Sequence, residues 1–217
     1  YEESLKDSAK YQKAREFFAG RLAGEDFGEA LIKDYKKKTV TPAGKEVRIS
    51  LGGELSSMAV EQFVRQKGIS ENTLFLGAFS YTLGKFSGEN KSLFCTVNNG
   101  RHTVNMANST GMFVRTLPIC HSWEESESVE RYLQNFQEDF YAVMGHDCIS
   151  FAELAKDYGI ASDILFVYQG EMFQGLSLNG GKYAAVPRDT GDVQADVSVM
   201  VMKQGGGYEI SLEYRTD

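Results

Sequence analysis

The sequence predicts an α/β fold, a two-layer sandwich in which a mixed β-sheet is packed with helices. Three patterns predict it. After Ser126, the residues Val129, Tyr132, Leu133, Phe136, Phe140, Val143 and Met144 keep one apolar face over about four helical turns. Leu93 to Val97 and Met112 to Ile119 are short apolar runs of the buried-strand type. Near the end, Tyr208, Ile210, Leu212 and Tyr214 alternate with Glu209, Ser211 and Glu213, as in a strand with one wet face.

The remaining elements follow in chain order. Leu5, Ala9, Ala14, Phe17, Phe18 and Leu22 recur at helical spacing. Val47 to Leu51 alternates like a strand. Glu54 to Lys67 reads as a helix through Leu55, Met58, Ala59 and Phe63, stopped by Gly68. Ser70 is an N-cap for a helix running to about Phe86. Its residues Leu74 to Leu83 are apolar on most sides, so it is expected to be the most buried helix. Ser150 and Glu153 form a capping box for a short helix to about Tyr158. Four strands are expected in the last third, beginning with Ile164 to Tyr168. Asn179-Gly180-Gly181 and Gly205-Gly206-Gly207 supply turns between them.

Composition narrows the function. The 217 residues are 42% hydrophobic and 24% charged, ordinary for one globular domain or one lobe of a larger one. The net charge of −7 disfavours nucleic acid, whose phosphates need a basic surface. Lys36-Lys37-Lys38, the one dense basic run, reads as a solvated helix end. No run reaches the roughly 18 apolar residues of a membrane span, and no signal peptide is visible. Three widely spaced cysteines, Cys95, Cys120 and Cys148, imply no disulfide framework, and a reducing cytoplasm is the expected compartment. The chain opens on Tyr1 and ends on Asp217, and both ends read as cut from something longer.

Motif chemistry is sparse. There is no GxGxxG, no GxxxxGK[ST] and no GxSxG. His102, His121 and His146 are neither adjacent nor four apart on one helix face. Cys120-His121 and His146-Asp147-Cys148 could meet as a zinc site or a thiol–imidazole pair. The alternative is that the cysteines are small, partly buried hydrophobes.

Several segments, in order, carry a resemblance. They are Asn72 to Phe79, the strand ending at Gly100-Arg101, Gly111-Met112-Phe113-Val114-Arg115-Thr116-Leu117-Pro118, His146 to Glu153, Asp163 to Gln169, and Tyr208 to Asp217. This series resembles the condensation domains of nonribosomal peptide synthetases, with the GxFVNTLP-like segment as its most specific part. The resemblance spans nearly the whole chain and begins at the helix that links the family's two lobes, residues 1–24. It implies that residues 1–217 are the C-terminal lobe, half of a CoA-dependent acyltransferase-like fold. It also implies that the N-terminal lobe, with its HHxxxDG motif, lies upstream.

The implied activity is amide formation between aminoacyl or peptidyl thioesters held on carrier proteins, with this lobe alone inactive. No cofactor is expected to be bound covalently. The 4'-phosphopantetheine is presented by partner carrier domains, and the other partner is the missing lobe. No nucleic-acid or membrane partner is implied. The matches place Arg101, Phe113, Arg115 and Thr116 near the cleft and supply no catalytic residue. Arg101 either holds the following loop through its carbonyls or faces a phosphate. Phe113 is core or tunnel lining, and Arg115 is a cleft or a surface residue. Arg115 departs from the family's usual Asn, and Cys120-His121 stands near the place of a family Arg. The surface facing the missing lobe, near Phe113 and from Tyr183 to Val201, is expected to be bare. Two other readings stand beside this one: a degenerate lobe that only docks carriers or recruits another enzyme, and a stand-alone acyltransferase using acyl-CoA.

Overall fold

The computed structural model describes residues 5–26, 31, 43–101, 104–160, 163–171, 191–193 and 195–216. Helix α1 spans Ala9–Leu22, with Ser8 as its N-cap accepting from the Tyr11 amide. Strand β1 is Gly44–Leu51, followed by a 3-10 turn, Gly53–Leu55. Helix α2 is Ser57–Lys67 and α3 is Glu71–Ser87. Strand β2 is Lys91–Asn98, α4 a single turn at Val104–Ala107, and β3 is Arg115–Ser122. Helix α5, Val129–Gly145, and α6, Phe151–Tyr158, precede β4, Ile164–Gly170. Strands β5, Val197–Gln204, and β6, Gly207–Arg215, form the closing hairpin.

The six strands form one mixed sheet in the order β1-β6-β5-β4-β2-β3. The pairs β2–β4 and β4–β5 are parallel, and the others are antiparallel. Phe94, Ile119, Phe166, Val199 and Val201 from successive strands are buried in a single core with α3 and α5. None of the described helices is long and apolar enough to cross a membrane.

The expected α5 stripe is present, with Tyr132, Leu133, Phe136, Phe140 and Val143 buried, although Val129 is exposed. The capping box at Ser150 and Glu153 and the left-handed stop at Gly68 also form where the sequence puts them. Helix α2 differs. The 3-10 turn takes up Glu54 and Leu55, so the helix starts at Ser57 with Ser56 as its cap. That changes the phase of the buried face. Val60 and Val64 face the core, while Leu55 and Met58 are exposed.

Helix α3 also departs from the expectation of burial on nearly all sides. Tyr81 and Phe86 point outward. Its buried stripe is made of small groups as much as large ones: Thr73, Leu76, Gly77, Ser80, Leu83 and Gly84. A Cβ on Gly77 would meet Leu133 Cδ2 at 3.0 Å, and one on Gly84 would meet Trp123 Cη2 at 2.2 Å. The helix is central because its neighbours come close to its backbone. Ser80 Oγ and Ser92 Oγ, 2.7 Å apart, satisfy each other beneath it. Of the four strands expected in the last third, three lie among the described residues. The turn at Asn179-Gly180-Gly181 and residues 183–190 lie outside the described residues.

A polar cluster fastens the first turn of α3 to the sheet. Tyr168 Oη and Tyr208 Oη both donate to Glu71 Oε2, at 2.5 and 2.8 Å, and Lys203 Nζ donates to Oε1 at 3.1 Å. Burial alone would raise the Glu71 carboxyl above its ordinary value. The hydrogen bonds from Tyr168, Tyr208 and Lys203 outweigh it and hold the carboxyl below. Its stabilising contribution is therefore complete above the unfolded-state pKa and is lost as pH falls through the folded one. Glu71→Gln should cost about 1–3 kcal/mol at neutral pH. It should also make the loss of stability on acidification shallower. Urea denaturation of both proteins at neutral and acid pH checks this, and equal acid slopes would contradict it.

Candidate functional site

A cleft of about 640 Å³ opens where β2 ends and β3 begins. Its lining includes Lys10, Phe113, Arg115, Thr116, Asp147 and Phe151. Residues from β3, from the loop before it, from α1 and from the start of α6 thus meet at one end of the sheet. The strand expected from Met112 begins three residues later, at Arg115, which pairs with Asn98. The reason is local. Gly100 has φ +65°, and a Cβ there would lie 1.9 Å from the Phe113 carbonyl oxygen. Residues 111–114 fold over Gly100 instead of extending the ladder.

Arg101 holds that fold in place. Its Nη1 donates to the carbonyls of Met106 and of Ser109, the latter at 2.7 Å, and its Nη2 donates to the Gly111 carbonyl at 3.2 Å. The guanidinium carbon sits 4.4 Å from the Phe113 ring centroid. Of the two readings of Arg101, this geometry is the one that ties a loop through its carbonyls. Phe113, Arg115 and Thr116 line the cleft itself. Met112 and Val114 project outward beside Phe113, 89% and 53% exposed.

The sequence reading missed Lys10 and Asn98, and it noted Asp147 only within a matched segment. Asp147 is 2% exposed. Its Oδ2 accepts from Asn98 Nδ2 at 3.0 Å, and its Oδ1 lies 3.6 Å from Lys10 Nζ. No short-range pattern links these positions, because Lys10 and Cys148 are 138 positions apart in the chain. Cys148 also lines the cleft, and burial pushes its thiol above the ordinary value.

The two Cys/His clusters do not converge. His146 Nδ1 pairs with the Ala142 carbonyl at 2.7 Å, and its ring stacks on Phe17 with centroids 4.1 Å apart. His121 is buried among Trp123, Tyr132 and Phe136. Its Nδ1 lies 2.7 Å from Asp139 Oδ2, and Arg21 donates to the other Asp139 oxygen at 2.6 Å. His121 stands six residues beyond Arg115 on β3, roughly 20 Å along the strand. Burial pushes the neighbouring Cys120 thiol up to about 12. Among the described residues, no group of three or more His, Cys, Asp or Glu is placed to hold a metal ion. His102 lies outside the described residues.

The condensation domain model matches residues 1–217. The chain belongs to the condensation domain family. Among its relatives are tyrocidine synthase 2 of Brevibacillus parabrevis, 22% identical over 100% of this chain, and surfactin synthase subunit 1 of Bacillus subtilis (strain 168), 23% identical over 95% of it. The chain spans only 6% of the length of each. Solved structures show the same fold. A holo four-domain nonribosomal peptide synthetase bound to AMP and glycine superposes with a TM-score of 0.81 at 17% identity, over 99% of this chain and 18% of that one. The first condensation domain of the calcium-dependent antibiotic synthetase, in complex with a substrate analogue, gives 0.77 at 16% identity. There the alignment covers 99% of this chain and 47% of that one. The X-domain from teicoplanin biosynthesis gives 0.78 at 14% identity, covering 98% and 51%. As a condensation domain sequence, the chain carries its GxFV-like segment as the loop and strand start that form one wall of the cleft.

The Arg101 geometry yields a direct expectation. Arg101→Met removes the donors to the Met106, Ser109 and Gly111 carbonyls. Amide hydrogen exchange at residues 106–111 should accelerate about tenfold or more, with α5 unchanged. Unchanged exchange in that loop would mean that Arg101 does not hold it.

Proposed function

We propose that residues 1–217 form the C-terminal lobe of a peptide-bond-forming condensation domain, with residues 1–24 as the inter-lobe linker helix. In this reading an N-terminal lobe from the same synthetase completes the cleft and supplies the HHxxxDG histidine. The observation that carries it is the family match over the whole chain, joined to a half-open cleft built from the matched segments. The substrates are aminoacyl or peptidyl thioesters carried on phosphopantetheine by separate carrier domains. The acceptor amine attacks the donor thioester carbonyl; a C–N bond forms, the C–S bond breaks, and the carrier thiol leaves with the proton. That reaction is downhill, so the domain chiefly orients two tethered reactants and excludes water. Phe113 and Thr116 would then form part of a tunnel wall, with Arg115 offering a cation to the arm's phosphate. Arg101 would act behind them by shaping the wall. The exposed Met112 and Val114 fit a surface that another lobe covers. A reducing cytoplasm is the compartment this role implies.

A second reading has one observation in its favour. An X-domain from teicoplanin biosynthesis, solved in complex with OxyB, shares this fold with a TM-score of 0.79. A lobe of this kind could dock a partner without forming a bond. Mixing the chain with its synthetase's N-terminal lobe and loaded donor and acceptor carriers separates the two. The pair should form dipeptidyl-carrier. The chain alone should stay at background, because loss of a general acid/base costs about 10²–10⁴-fold and half of the positioning surface goes with it. Product from the chain alone would overturn the lobe assignment, and carrier binding without product from the pair would support docking.

A further inference from the structure

Helix α1 and the turn before it meet the rest of the chain along a line of opposite charges. Lys6 lies 3.8 Å from Glu153, Lys10 3.6 Å from Asp147, Arg15 3.0 Å from Asp157 and Arg21 2.6 Å from Asp139. Tyr11 Oη donates to Glu153 at 2.8 Å. Tyr11, Ala14, Phe18 and Leu22 anchor the helix in the core along its length. Its start runs beside the cleft, where Lys10 and, from the turn before the helix, Leu5 are part of the lining.

At Lys10 two consecutive residues grip one. Asp147 faces its ammonium group, and Cys148 Sγ donates to its backbone carbonyl at 3.7 Å. Asp147 is nearly fully buried, and a carboxylate at that depth needs charge and hydrogen-bond partners. Asn98, the last residue of β2, is one and Lys10 is another. One side chain therefore joins the end of a central strand, the turn before α6 and the helix that borders the cleft.

We infer that Asp147 is a positioning residue that straps the start of α1 to the cleft floor through Lys10, and that releasing this strap opens the cleft at Cys148. The inference concerns the chain by itself and stands whether or not the amide-forming reading holds. The Lys10 side chain is 51% exposed, so its pairing can be lost while Tyr11, Ala14, Phe18 and Leu22 keep the helix in the core. Loss of the charge pair should therefore loosen the start of the helix without unfolding the chain.

Cys148 is the built-in reporter, since it touches Lys10 and lines the cleft while being only 8% exposed. The experiment is timed alkylation of the chain with iodoacetamide, with the modified cysteines counted by mass spectrometry. Cys95 and Cys120 serve as internal controls for general loosening. Lys10→Met and Asp147→Asn should each raise the Cys148 rate about fivefold while Cys95 and Cys120 keep their rates. Lys10→Arg, which keeps the charge, should stay close to the parent rate. Should Asp147→Asn fail to fold, Lys10→Met decides, because that side chain is 51% exposed. An unchanged Cys148 rate in either folded variant overturns the inference. A parallel rise at all three cysteines also overturns it, as does a Lys10→Arg rate equal to that of Lys10→Met.

Discussion

The cleft depends on one close approach, that of the Phe113 carbonyl to the bare α-carbon of Gly100. Any side chain at Gly100 would collide with that oxygen, and its φ of +65° is itself a conformation that glycine favours. The approach ends the β2–β3 ladder at Asn98 and Arg115 instead of letting it run to Met112. The loop carbonyls of Met106, Ser109 and Gly111 turn toward Arg101, whose guanidinium donates to all three and packs on the Phe113 ring. Arg115 and Thr116 then begin the strand at the mouth of a cavity rather than in the middle of a sheet. A small residue, an arginine and a strand start act together, and none of them would make the wall alone.

Behind the wall, α3 packs closely through small side chains. Gly77 and Gly84 admit Leu133 and Trp123 to within contact of the helix backbone, and the Ser80–Ser92 pair fills the space beneath. Close packing of this kind transmits displacement rather than absorbing it. The first turn of the same helix is fastened by Glu71 to Tyr168, Tyr208 and Lys203, so β4, β5 and β6 share its position. The parallel strands β2, β4 and β5 therefore end at defined heights, and Asn98, at the end of β2, presents its amide to Asp147.

The sequence made visible what depends on near neighbours. The apolar stripe of α5, the Ser150–Glu153 capping box, the left-handed stop at Gly68 and the closing hairpin are all set by spacings of a few residues. Phe113, Arg115 and Thr116 line one cavity because a strand and its preceding loop travel together in sequence. What stayed hidden depends on distance along the chain. The α2 face was misread because a 3-10 turn at Gly53–Leu55 shifts its phase, and nothing in the apolar spacing marks that turn. Helix α3 looked apolar all round because its outward Tyr81 and Phe86 cannot be told by type from its inward Leu76 and Leu83. Lys10 was invisible as a cleft residue, since its partners lie up to 138 positions away.

The groups along this wall suit orientation better than bond-making. Asp147 is engaged by Lys10 and Asn98, and burial pushes the Cys148 thiol above its ordinary value, away from the thiolate. Among the described residues lining the cleft there is no histidine. The surface offers an aromatic ring at Phe113, a hydroxyl at Thr116 and a cation at Arg115, and on the reading proposed above these would hold a tethered substrate without exchanging protons with it. On the amide-forming reading proposed above, the thioester would carry the driving force, and holding two such arms in register would supply most of the acceleration. The proton acceptor would then come from the other side of the cleft. The chain's own contribution is a fixed wall, built through Gly100, Arg101 and the small-residue packing of α3.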